Sequence, residues 1–228
     1  MGDEVARPSF YALRPGGWRD YVTLLHPPYT LWHLSYAAMG AAVAPRIHWG
    51  ILGWTVLAFF LAMGIGAHAL DESKGRPLRT RIPDRVLYLL AAGSIIGACV
   101  IGIHVAIGTT WWLLVFIAFG AFVVVAYNLE LFGGRLHTPS WFAGTWGAFP
   151  ALTAYFASAQ TIRAEGILIA AFALVTSLAQ QRLSTDVRFA RRSASDPARE
   201  RTAEAALQLL AVAMPFLAGG MLLARWRY

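Results

Sequence analysis

The chain has 228 residues, 57% of them apolar and only 14% charged, with a formal charge of +7 and a mean hydropathy of +0.53. A soluble domain carries nearer a quarter charged residues, so this composition excludes one and points to repeated membrane-spanning helices. The single cysteine, Cys99, lies in an apolar run, which excludes disulfides and cysteine metal centres. The bases sit in short loops, where membrane topology accounts for them and a nucleic-acid partner is not needed.

Residues 1–25 read as a cytoplasmic tail without the apolar core of a signal peptide, carrying a short surface segment from Trp18 to Leu25. Residues 26–228 read as one transmembrane helical domain. Seven spans are predicted: Thr30–Ala44, Ile51–Leu70, Val86–Ile107, Trp111–Phe132, Trp141–Ala159, Ile167–Leu183 and Ala203–Ala224. Pro27–Pro28 predicts a kinked or tilted entry to the first. The fold class is therefore an all-α polytopic bundle, with cytoplasmic loops at 71–85, 133–140 and 184–202.

An inside N-terminus leaves Arg46, Arg163, Arg225 and Arg227 outside and the other 15 bases, Arg7 among them, inside. By the positive-inside rule this predicts a cytoplasmic N-terminus and an outer C-terminus, in a prokaryotic inner membrane. The same assignment puts Asp71, Glu72 and Asp186 on one side.

The second span ends in His68, Asp71 and Glu72, which share one helix face at i, i+3 and i+4. Lys74, Arg76, Arg79 and Arg81 follow. Asp71 and Glu72 either ligate a hard cation such as magnesium or neutralise the neighbouring arginines. The sixth span ends similarly, in Gln180, Gln181, Arg182 and Asp186. Asp186 is the partner acid from the other half, or else pairs with Arg182 or Arg188. Between them the fourth span ends in Tyr127, Asn128 and Glu130, followed by Arg135. Polar groups at such depth need partners or water, so they are expected to face the bundle interior. His68 is read as a substrate-binding or proton-accepting group, or a hydrogen-bonded interfacial one. His33 and His104 are read as structural. Arg76, Arg79 and Arg135 offer phosphate-gripping guanidinium groups or serve as topology determinants. Tyr36, Tyr127, Trp141, Trp146 and Tyr155 either line an apolar tunnel or pack.

With these pieces placed, the chain resembles the UbiA-type intramembrane prenyltransferase superfamily. His26–Ala42 looks like its first helix, and GRPLRTRIPDRVL (Gly75–Leu87) resembles the loop after its first acidic motif. Ala126–Ala157 is similar to its tyrosine and basic loop with the following helix, and RLSTDVRFARR falls at the second acidic motif. The resemblance implies a UbiA-like bundle lacking the last two of nine helices, with both acidic motifs thinned. It implies a magnesium-dependent transfer of an isoprenoid from a prenyl diphosphate to a lipophilic or aromatic acceptor. Asp71, Asp186 and His68 would then be catalytic, and Asp71, Glu72 and Asp186 would hold magnesium. Arg76, Arg79, Tyr127, Asn128, Arg135, Gln181 and Arg182 would bind substrate. The alternative is a non-catalytic UbiA-like subunit that binds lipid or pigment. Expected partners are membrane lipids and other membrane subunits or copies of the chain.

Overall fold

A computed structural model describes residues 8–193 and 196–226; Arg7, Arg227 and the side chain of Arg192 lie outside this description. The described residues form eight helices and one 3-10 turn, with no strand among them. Helix α1 spans Trp18–Leu24, α2 Pro27–Val43, α3 Trp49–Ser73, α4 Asp84–Gly108 and α5 Leu113–Asn128. Helix α6 covers 139–159, α7 Ala164–Ser193 and α8 Pro197–Trp226. Each predicted span overlaps one helix, and α7 and α8 extend beyond the predicted bounds of the sixth and seventh.

Four of them, α3, α4, α7 and α8, are long and apolar enough to cross a membrane, and α5 is a shorter apolar helix. Helix α4 exposes Leu89, Ile96, Val100 and Ile107, and α8 exposes Leu209, Phe216 and Leu223. Such apolar outer faces suit lipid and not water. The chain therefore has the character of an integral membrane protein.

The fourth span is shorter than expected. Helix α5 stops at Asn128, because Glu130 and Phe132 take left-handed backbone angles, φ 50° and 58°, that break the helical ladder.

Helix α2 lies at the centre, packed against α6 and α8, with Trp32, Tyr36 and Met39 fully buried. Close approach needs glycine at two points. A Cβ on Gly40 would run into the Ala151 carbonyl of α6, and one on Gly147 into Ser177 and Ala173 of α7.

Two helices widen into π-helical turns, Phe60–Ala67 in α3 and Ala143–Ala148 in α6. Such turns loosen the backbone ladder and recur at functional sites. At one end of the bundle, buried Asp20 (4% exposed) accepts from the Gly16 amide at 2.8 Å and the Arg81 amide at 2.9 Å. At the other, Arg225 donates to the carbonyls of Ala44 and Pro45, and Trp49 meets Trp226 edge-on at 4.8 Å.

Candidate functional site

A cavity of about 510 Å³ opens among the helices at the end that holds Asp20. His26, Tyr29 and His33 reach it from α2, spaced i, i+3 and i+7 along one face. His68 and Asp71 come from α3, Tyr127 and Asn128 from α5, and Phe142 and Trp146 from α6. Helices α7 and α8 add Gln180, Gln181, Arg188, Arg191 and Glu204, while Pro8–Tyr11 and His137 complete the wall.

The π turns shape this wall. His68 follows the α3 π turn directly, and its Nδ1 lies 3.1 Å from the Gly64 carbonyl inside that turn. His33 Nδ1 lies 2.8 Å from the carbonyl of Trp146, inside the α6 π turn. His137 Nδ1 lies 3.1 Å from the Tyr127 carbonyl, with the two rings stacked at 4.5 Å. A carbonyl only accepts, so each Nδ1 donates its N–H.

His26 caps α2 in the left-handed conformation, φ 46°, a strained backbone for a non-glycine residue. Its ring meets His68 at 3.9 Å and Tyr11 at 5.4 Å. Burial, then the neighbouring His68 and His33, holds its pKa well below the ordinary 6.5. Burial likewise pushes the Tyr11 phenol up, so it stays an O–H.

The sequence-derived candidates divide. His68, Asp71, Tyr127, Asn128 and Gln181 share the cavity. Glu72 does not line it; its carboxylate, 1% exposed, accepts from Leu78 N, Thr80 N and Thr80 Oγ1 at 2.8–2.9 Å. Asp186 stands half-exposed in an ion pair with Arg199 at 2.9 Å. Arg76 clamps its own loop through the carbonyls of Thr80 and Ile82 and the carboxylate of Asp84. Arg79, Arg135 and Arg182 are exposed. Glu130 pairs with Lys74 at 2.9 Å, not with Arg135. Of the aromatic candidates Tyr127 and Trp146 line the cavity, whereas Tyr36 is buried against Thr176 at 2.7 Å and Tyr155 against Glu165 at 2.8 Å.

These residues do not fit a magnesium cluster. Asp71 is the one candidate acid at the cavity, and among the described residues no three His, Cys, Asp or Glu side chains are grouped to hold a metal ion. Nor is the wall strongly basic. Arg191 is engaged by Glu200, Glu204 and the Pro8 carbonyl. Arg188 bonds Ser184 and Thr185 on its own helix at 3.0 and 3.1 Å.

Sequence reasoning missed the contributions of Tyr11, His26, Tyr29 and His137; His33, read as structural, bonds the Trp146 carbonyl and also lines the cavity. The His26–Tyr29–His33 stripe was the available signal.

What fold and site define is a helical membrane protein with an amphipathic, histidine-lined cavity. Comparison with family models, curated proteins and solved structures gave no significant match to the chain.

Proposed function

We propose that the chain is a seven-span, UbiA-like protein of a prokaryotic inner membrane, with its N-terminus cytoplasmic and its C-terminus outside. In this reading it holds a lipophilic amphiphile in the cavity and serves as a lipid- or pigment-binding subunit of a larger membrane assembly. One observation carries it: the three acids that would gather magnesium are employed separately, Glu72 by its own loop, Asp186 by Arg199, and Asp71 alone at the cavity. A hard dication needs several oxygen ligands converging on it. Further along α3, α5 and α6, a pocket of about 90 Å³ walled by Phe59, Phe116 and Phe149 offers room for part of an apolar tail.

A second reading, magnesium-dependent prenyl transfer, draws support from the meeting of the second, fourth and sixth spans at one cavity through Asp71, Tyr127, Asn128 and Gln181.

Calorimetric titration of the purified protein with geranylgeraniol and geranylgeranyl diphosphate, with and without magnesium, separates the two. Binding of the alcohol, indifferent to magnesium and unmoved by Asp71→Ala, is the expected result. Magnesium-dependent binding of the diphosphate, abolished by Asp71→Ala, would overturn the subunit reading in favour of the enzyme. Co-purification with partner chains, unaffected by Asp71→Ala and Asp186→Ala, is also expected.

A further inference from the structure

At the end of the bundle that holds Asp20, two segments turn arginines outward and keep their acids inside. In the loop after α3, Leu78, Thr80 and Ile82 are buried, while Arg79 and Arg81 between them are exposed. Glu72 accepts from the amides of Leu78 and Thr80, on either side of Arg79, whose φ of 57° is left-handed. Backbone strain of that kind persists only where the surroundings over-determine it. Arg76 closes the loop on Asp84 and on the carbonyls of Thr80 and Ile82. Glu72 and Asp84 are thus committed within the loop, and exposed Arg85 follows on the first turn of α4.

The N-terminal segment is built the same way. Asp20 is committed to the amides of Gly16 and Arg81, which sets α1 beside the loop and adds exposed Arg14 and Arg19. Residues 14–20 and 71–85 hold seven bases against four acids. Arg14, Arg19, Arg79, Arg81 and Arg85 have no ion pair among the described residues, and none of them lines the cavity. By contrast, Lys74, Arg191 and Arg199 each have an acid.

The neighbours of these arginines identify the partner. Arg85 and Leu89 share a face of α4 at i and i+4, about 6 Å apart along the axis, and Leu89 belongs to the apolar outer face of that helix. On α1, Trp18 is 68% exposed and Tyr21 is exposed beside it, with the Arg19 guanidinium 5.9 Å from the Trp18 ring. Exposed tryptophan and tyrosine fit the boundary between hydrocarbon and water, and guanidinium groups at that level meet phosphate in a matching fork geometry. A soluble anion would engage the arginines and leave the apolar side chains in water.

We propose that α1, the 74–83 loop and the first turn of α4 form one docking platform for anionic phospholipid. Arg14, Arg19, Arg79, Arg81 and Arg85 take the headgroup phosphates, and Trp18 and Tyr21 sit in the interfacial layer. Membrane topology asks only for positive charge at this end. The clamps at Glu72, Arg76 and Asp20 add fixed placement, so the bases act together on one patch of headgroups. The platform does not depend on what occupies the cavity.

The test equilibrates the full chain in neutral detergent with phosphatidylglycerol and phosphatidylcholine of matched acyl chains. Lipid retained through gel filtration is then quantified by mass spectrometry. Phosphatidylglycerol is expected to be retained at least about tenfold over phosphatidylcholine at low salt, a modest preference for five bases, and the ratio is expected to fall as sodium chloride screens the contacts. The combined variant Arg79→Gln, Arg81→Gln, Arg85→Gln is expected to bring the ratio close to one. Arg46→Gln with Arg163→Gln, exposed bases at the opposite end, is expected to leave it unchanged. Equal retention of the two lipids overturns the inference, as does a ratio indifferent to salt or to the triple variant. Displacement of the lipid by an equal concentration of glycerol 3-phosphate overturns it in favour of a soluble anion. If the triple variant fails to fold, the ratio and its salt dependence on the unaltered protein still decide.

Discussion

The imidazole of His33 and the backbone carbonyl of Trp146 lie 113 positions apart in sequence and 2.8 Å apart in space. The bond ties α2 to the π turn of α6, where the loosened ladder makes a carbonyl available. It is a fixed strut and also a tautomer selector, and both roles follow from one donor and one acceptor. Replacing His33 with Phe removes the donor and leaves Trp146 dependent on the altered ladder. A cost of about 1–3 kcal/mol is expected for the abandoned buried carbonyl, read as a lower midpoint of thermal unfolding in detergent. His33→Asn, which can still donate an N–H, should recover part of it.

The acids separate by role. Glu72→Ala strips three hydrogen bonds from the 74–83 loop. Hydrogen bonds to a charged group contribute about 1.5–3 kcal/mol each, and even partial relaxation leaves a large loss of stability. Asp186→Ala removes a half-exposed ion pair, for which less than about 1 kcal/mol is expected. Thermal unfolding of both variants, with and without magnesium, checks this. Similar losses for the two, or a magnesium-dependent rise that Asp186→Ala abolishes, would contradict it.

Acid should weaken the fold through His26. Its folded-state pKa is lowered, first by burial and then by His68 and His33. The neutral ring is therefore the folded form. Stability is fully present above the ordinary value of 6.5, and declines as pH falls below it, because the unfolded chain takes up a proton that the folded chain refuses. The decline continues until the lowered folded-state pKa is reached. His26→Gln should flatten the unfolding midpoint between pH 7 and pH 5, while a slope identical to that of the unaltered protein would exclude His26 as its source.

The α6–α7 contact depends on a missing side chain. Gly147→Val places carbon against Ser177 and the Ala173 backbone. Overpacking of this kind costs about 1–3 kcal/mol or more. Reduced yield of monodisperse protein and a lower unfolding midpoint are expected, with Gly144→Val, where no atom lies near the added carbon, as the control.

The helices were legible because apolar runs of this length have few other outcomes: each of the seven predicted spans overlaps one helix, but only four of those helices are long and apolar enough to cross a membrane, and α7 runs to Ser193, well past the predicted end at Leu183. The end of the fourth was not, since left-handed angles at Glu130 and Phe132 carry no signature apart from the glycines after them. The cavity was half legible. His68 and Asp71 announced themselves by sharing a helix face beside a charged loop. Glu72 carried the same signal yet turned inward to its own loop, because adjacent helical positions diverge by about 100°. The pairing of His33 with Trp146 was hidden because a long-range bond through a backbone carbonyl depends on a π turn, which local sequence does not specify. His26 was hidden for a related reason: its role follows from a strained φ, not from its neighbours.

One carboxylate, that of Asp20, receives both the amide of Gly16 from the N-terminal segment and the amide of Arg81 from the loop after α3. The two flaps beside the cavity mouth are thus fastened by a single latch. Each amide bonds its own oxygen, so the two segments share a side chain without sharing an acceptor atom, and loss of this one carboxylate would free both at once.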